Sequence, residues 1–111
     1  MLGEPDLEVC LKILFDKEGS DLYYSTGAPP SAKFYGTLNK LSERPMQPGE
    51  TLDIAKVLMT EDQTAEFLKT QEMNLAISRE GLGRFRVNIF QQMNETSLVI
   101  RRLGDSLPQV K

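Results

Sequence analysis

The stretch from Gly83 to Leu103 constrains this chain more than any other. It reads Gly83-Arg84-Phe85-Arg86-Val87-Asn88-Ile89-Phe90, then a polar connection, then Ser97-Leu98-Val99-Ile100-Arg101-Arg102-Leu103. Both halves are rich in Phe, Val and Ile and read as paired strands. In the first half Arg84, Arg86 and Asn88 alternate with Phe85, Val87 and Ile89, the pattern of a strand with one face on a core and the other in water. With Asn94-Glu95 at the centre of the turn, Arg86 falls opposite Leu103, Asn88 opposite Arg101, and Phe90 opposite Val99. Arg84, Arg86 and Arg101 then share one face, with Arg86 and Arg101 as diagonal neighbours roughly 7–8 Å apart. Phe85, Val87, Ile89, Leu98 and Ile100 form the core face. A one-residue change in the turn would flip Arg101 to the other side. Two explanations of the arginines stay open at this point. One is a solvated outer face with incidental charge. The other is an anion clamp, since like charges placed together repel unless something negative separates them.

The rest of the chain supplies helices and more strands. Leu7, Cys10, Leu11, Leu14 and Phe15 form an apolar stripe at helical spacing and predict a first helix over Pro5–Lys17, with Asp6 as N-cap and Gly19 as the stop. Val9 and Ile13 add a second apolar edge to it. Short strands follow at Ser20–Ser25, Ala32–Phe34 or Tyr35, and Leu38–Leu41, the first two separated by Thr26-Gly27-Ala28-Pro29-Pro30, which cannot continue a ladder. A second helix spans Gly49–Met59. Thr60-Glu61-Asp62-Gln63 has the form of a capping box and starts a third, running to about Lys69 and burying Ala65, Phe67 and Leu68. Glu72–Ser78 is another strand, joined to the arginine hairpin by a turn at Glu80-Gly81. Short turns link the strands, so the fold class is α+β: a mostly antiparallel sheet of about six strands with three helices. Residues 1–105 make one domain, and 106–111, around Pro108, read as the start of a linker.

Composition narrows the chemistry. The chain has 111 residues, a formal net charge of −3 and no histidine. That charge argues against general nucleic-acid binding, and the missing histidine removes the commonest general base and metal ligand. A single cysteine, Cys10, can form neither an internal disulfide nor a cysteine-based zinc site, and its apolar neighbours make it a structural thiol. No carboxylates have a metal-loop spacing, so no metal site is expected. No apolar run approaches the roughly 18 residues of a membrane span, and no secretory signal pattern opens the chain, so a soluble intracellular protein without membrane insertion is expected. No GxxxxGK[ST] phosphate loop is present, and Gly81-Leu82-Gly83 lies between strands as a turn. Asp21 with Ser20 is a candidate acid/base or metal pair, with a turn or cap role as the plainer alternative. Glu61 and Asp62 suit a helix N-terminus. The arginine face alone looks like a site, and arginines without a base, metal or nucleophile stabilise charge but do no other chemistry.

Ser20-Asp21-Leu22 followed by Thr26-Gly27-Ala28-Pro29-Pro30, the turn at Gly36, the helix start at Thr60-Glu61-Asp62-Gln63, and Gly81-Leu82-Gly83-Arg84-Phe85-Arg86-Val87-Asn88 together resemble the N-terminal domain of the PilT/PilU retraction ATPases of type IV pili. Ile100-Arg101-Arg102-Leu103 with Leu107-Pro108 is similar to the PilU branch more than to PilT. The resemblance implies a PAS-like domain of a homohexameric ATPase that drives pilus retraction and twitching motility. It implies ATP and Mg2+ bound by a C-terminal RecA-like domain, and no cofactor for this chain alone, which lacks the phosphate loop and should be inactive by itself. It implies partners: the protein's own ATPase domain, neighbouring subunits, another retraction ATPase and the pilus platform protein. It implies a cytoplasmic location, peripheral to the inner membrane. By motif, the arginines that reach nucleotide phosphates fall on Arg86 and Arg101, with Arg84 as a third contributor and Arg102 directed to the other face. A stand-alone PAS-like small-molecule sensor and a protein-interaction module are the alternatives. The sensor calls for an internal pocket.

Overall fold

The computed structural model describes residues 7–104. Asp6 as N-cap and the linker at 106–111 lie outside them. Helix α1 spans Leu7–Asp16 and is followed by strands β1 (Asp21–Tyr24), β2 (Ser31–Phe34) and β3 (Thr37–Lys40). Helices α2 (Glu50–Leu58) and α3 (Glu61–Thr70) come next, then strands β4 (Glu72–Arg79), β5 (Gly83–Gln92) and β6 (Glu95–Gly104). The six strands form one sheet in the order β3-β2-β1-β6-β5-β4, each antiparallel to its neighbours. The expected α+β class, helix number and strand number are all found, with strand boundaries mostly within one residue.

The order explains the connections. β1 and β6 meet in the middle of the sheet, while β3 and β4 lie at opposite edges. The segment carrying α2 and α3 therefore crosses the sheet from one edge to the other. It crosses on the face that holds Leu22, Tyr24, Phe85, Val87, Leu98 and Ile100, all buried. Leu11 and Leu14 of α1, Ala55 of α2 and Phe67 of α3 close the same core. Three helices pack on one face, and among the described residues no helix covers the other, the bare face.

Local chemistry sets the element ends. At α3 both halves of the capping box form: Gln63 N donates to Thr60 Oγ1 at 3.1 Å, and Thr60 N donates to Gln63 Oε1 at 2.9 Å. At α2 no side chain caps the helix from Gly49. Instead the Glu50 carboxylate accepts from Gln47 N and from both terminal nitrogens of Arg44, and the Arg44 guanidinium first, then the Gln47 amide, holds Glu50 below its usual carboxylate range. At the end of α1 the left-handed residue is Glu18, with φ 56°. Gly19 N donates to Leu14 O at 2.8 Å, the long bond of a Schellman motif, so Gly19 sits one position beyond the expected C′. Of the apolar residues assigned to α3, only Phe67 is buried, and Ala65 and Leu68 face out. A ten-residue helix packed at its rim on the edge strand covers little more than one side chain. Val9 of α1 is likewise exposed.

The hairpin turn differs from expectation in place and not in kind. Its central residues are Met93 and Asn94, both at positive φ (53° and 68°), joining Gln92 to Glu95. That is a two-residue turn of the I′ type, which matches strand twist and favours Asn over Glu in the left-handed region. Tyr35-Gly36 makes a similar turn between β2 and β3, at φ 52° and 81°. Sliding the hairpin turn by one residue changes the register by two, so every side chain keeps its face. Only a change in loop length would flip Arg101.

Candidate functional site

The bare face of the sheet carries the arginines. Arg86 pairs directly with Arg101, Asn88 with Val99, and Phe90 with Ser97. The expected diagonal relation of Arg86 and Arg101 is thus corrected to a direct one, with Cβ atoms about 4.5–5.5 Å apart in such a pair. A bulge between Arg84 and Phe85 places Arg84 opposite Gly104 and Phe85 opposite Arg102. Arg84 remains two residues from Arg86 along the strand and shares its face.

Following the pairing across all six strands gives one row of side chains on this face: Ala76, Arg86, Arg101, Asp21, Lys33 and Leu38. Three of the six are cationic, in a chain whose net charge is negative. Asp21 is the residue whose role the sequence left open. It opens β1 and faces the arginines, neither capping a helix nor joining other carboxylates. Arg101 Nε donates to Asp21 Oδ1 at 2.9 Å, and Ser20 Oγ donates to Asp21 Oδ2 at 3.0 Å. The hydrogen bond that Arg101 donates to Asp21, reinforced by the carboxylate's charge, raises the pKa of Arg101, so that guanidinium stays charged. The side chain of Asp21 is 7% exposed and that of Arg101 65%. Among the described residues, no hydrogen bond or ion pair engages the side chain of Arg84 or Arg86. Arg102 is turned away: its Nε donates to Gly19 O at 2.9 Å. Spacing alone could not have found Asp21 as a partner, because its link to Arg101 depends on β1 docking beside β6.

The remaining candidates resolve structurally. Gly81 lies in the turn between β4 and β5 at φ 81°, where Leu82 N donates to Arg79 O. Glu61 and Asp62 occupy the first turn of α3, where the helix dipole favours them. Cys10 is fully buried on α1. Among the described residues no cluster of His, Cys, Asp and Glu could hold a metal ion, and no helix is long and apolar enough to cross a membrane. Leu11, Leu14, Leu22, Phe67, Phe85 and Ile89 are fully buried. What the bare face can do is bind an anion: two guanidiniums side by side, one of them oriented, suit the oxygens of a phosphate.

No protein-family model matches the chain. Curated relatives do. The chain is 36% identical over 106 residues to the type IV pilus ATPase PilU of Pseudomonas aeruginosa, a match covering 96% of this chain and 28% of that protein. It is 28% identical over 88 residues to the type IV pilus retraction ATPase PilT of the same organism, covering 78% and 26%. Among solved structures, the pilus retraction motor PilT with bound ADP aligns with a TM-score of 0.84 at 25% identity, covering 95% of this chain and 31% of that one. The ATPase DotB of Yersinia pseudotuberculosis aligns at 0.67 with 27% identity, covering 91% and 30%. The chain thus spans less than a third of the length of these relatives. Fold and sequence together define a class, the N-terminal domain of PilT/PilU-type ATPases. Within it the chain is slightly nearer to PilU, at 36% identity against 28% for PilT.

Proposed function

We propose that the chain is the N-terminal domain of a hexameric type IV pilus retraction ATPase and that it supplies Arg86 and Arg101, with Arg84 as a third cation, to the phosphates of a nucleotide bound elsewhere. One observation carries the reading: Arg86 and Arg101 are direct partners on the helix-free face of the sheet, in a chain with no phosphate loop of its own. The described residues offer cations for phosphate oxygens and no cluster of metal-ligating side chains; in this reading ATP and Mg2+ are held by a C-terminal ATPase domain. When bound there, the nucleotide supplies the transferable phosphoryl group. This domain then acts as a rigid lid whose arginines stabilise the charge that develops on that group. Neighbouring subunits of a homohexamer, a second retraction ATPase and the pilus platform protein are the partners of such a motor, which would work on the cytoplasmic side, peripheral to the inner membrane.

The test is steady-state ATPase turnover of the full-length protein. Arg86→Ala and Arg101→Ala are each expected to lower it by about 100-fold or more, the scale for losing a preorganised donor or an arginine finger, while circular dichroism of the isolated domain stays unchanged. Normal turnover in both variants would overturn the reading. It would favour instead a docking module, a role drawing on Val57 and Leu68, 72% and 57% exposed on α2 and α3, and on the shallow groove between those helices that Met59 and Ala65 line.

A further inference from the structure

Asp21 presents a problem that its surroundings solve in an informative way. A carboxylate kept almost out of water needs its hydrogen bonds satisfied, and this one is satisfied by Ser20 and by a single nitrogen of Arg101. That nitrogen is Nε, the inner donor of the guanidinium. Arg101 has five N–H groups in a planar fork, and using Nε leaves four on the two terminal nitrogens. Those four meet no acceptor among the described residues. Arg86, directly opposite, has no comparable tether.

We infer that Asp21 is the positioning residue of the arginine face, holding Arg101 through Nε so that both terminal nitrogens are presented to a phosphate, while Arg86 is left adaptable. The inference rests on the reading above, that Arg101 meets a nucleotide phosphate. Its stereochemistry is simple. One guanidinium holds Asp21 with its inner edge and two phosphate oxygens with its outer edge at the same time. An ammonium has no such pair of edges, so Lys at 101 cannot serve both, whereas Lys at 86 still supplies a charge. Asp21 also offsets the repulsion between the paired arginines before any ligand arrives, and Ser20 fixes the second carboxylate oxygen so that Oδ1 stays aimed at Arg101. The two arginines are therefore unequal: one is preoriented, the other gathers in the ligand.

The experiment compares ATPase kinetics of full-length variants. Asp21→Ala is expected to lower kcat about tenfold and move KM for ATP less than about twofold, as for a group that acts on orientation in the transition state. Asp21→Asn keeps an acceptor for Nε and should recover most of that loss. The double variant Asp21→Ala/Arg101→Ala should be no slower than Arg101→Ala, because the tether then has nothing to hold. Arg101→Lys should fall nearly as far as Arg101→Ala, and Arg86→Lys should retain more activity than Arg86→Ala. Wild-type turnover in Asp21→Ala, or a loss that multiplies with that of Arg101→Ala, would overturn the inference while leaving the phosphate role of Arg101 standing. A harmless Arg101→Ala would remove both. Should Asp21→Ala fold poorly, nitrogen-15 NMR of the unsubstituted chain decides: a slowly exchanging, restricted Arg101 Nε–H supports the tether, and a rapidly exchanging one refutes it.

Discussion

At Gly19 the chain leaves α1 and enters β1 through a gap with no room for a side chain. A Cβ there would lie 2.7 Å from Leu14 Cδ1 and 2.8 Å from Phe34 Cδ1, so a methyl group must displace core atoms from two elements. The carbonyl of the same residue accepts from Arg102 Nε, which ties the helix end to the back of the last strand. Gly19→Ala is expected to destabilise the chain by about 1–3 kcal/mol, the usual cost of overpacking, and urea unfolding followed by circular dichroism measures it. The sequence marked Gly19 as a stop for a conformational reason. The structure gives a steric one, because Glu18 takes the left-handed position. Contacts made through space by Phe34 leave no trace in the local pattern around Gly19.

Among the elements, α3 depends most on its N-cap, Thr60. It is ten residues long and buries only Phe67, so little packing holds it. A helix this short is marginal without help, and the help is the reciprocal bond pair of Thr60 and Gln63. Thr60→Ala should cost about 0.5–2 kcal/mol and should raise amide exchange across 61–66 more than elsewhere, read by hydrogen–deuterium exchange. The capping box was legible in the sequence because it is local, four residues whose types state the geometry. The alternation of Arg84 to Ile89 was legible for the same reason. The burial of Ala65 and Leu68 was misjudged because an apolar periodicity does not say how wide a helix's seat is. The exact pairing of β5 with β6 was off by two because Met93 has no turn signature, yet the faces survived since a two-residue turn preserves parity.

For the molecule as a whole, one face of the sheet is committed to the core and the other carries the arginine row. That division was readable from strand parity and from an inventory without phosphate loop or histidine. The direct Arg86–Arg101 pair was not, because Met93 carries no turn signature to set the hairpin register, and its partner Asp21 was not, because β1 docks beside β6 from a distant part of the chain. The carboxylate beside the arginines, Asp21, is buried and engaged by Ser20 and Arg101, so this face should not turn over substrate. The purified chain incubated with ATP and Mg2+ is therefore expected to release no phosphate above the buffer rate, and a measurable rate that disappears with Arg86→Ala would contradict the proposed division of labour.

The central pairing of β1 with β6 has a kinetic side. The bond between Asp21 and Arg101 joins residues 80 positions apart. Closing so long a loop carries an entropic cost that must be met before the contact rewards it. The β5–β6 hairpin can form early, from neighbours in sequence, and it brings the two arginines together with nothing to balance them. As the chain emerges from a ribosome, β1 waits with only β2 beside it until β6 has been made. The arginine face reaches its working arrangement at the end of folding, so refolding experiments should see the Asp21–Arg101 contact among the last to appear.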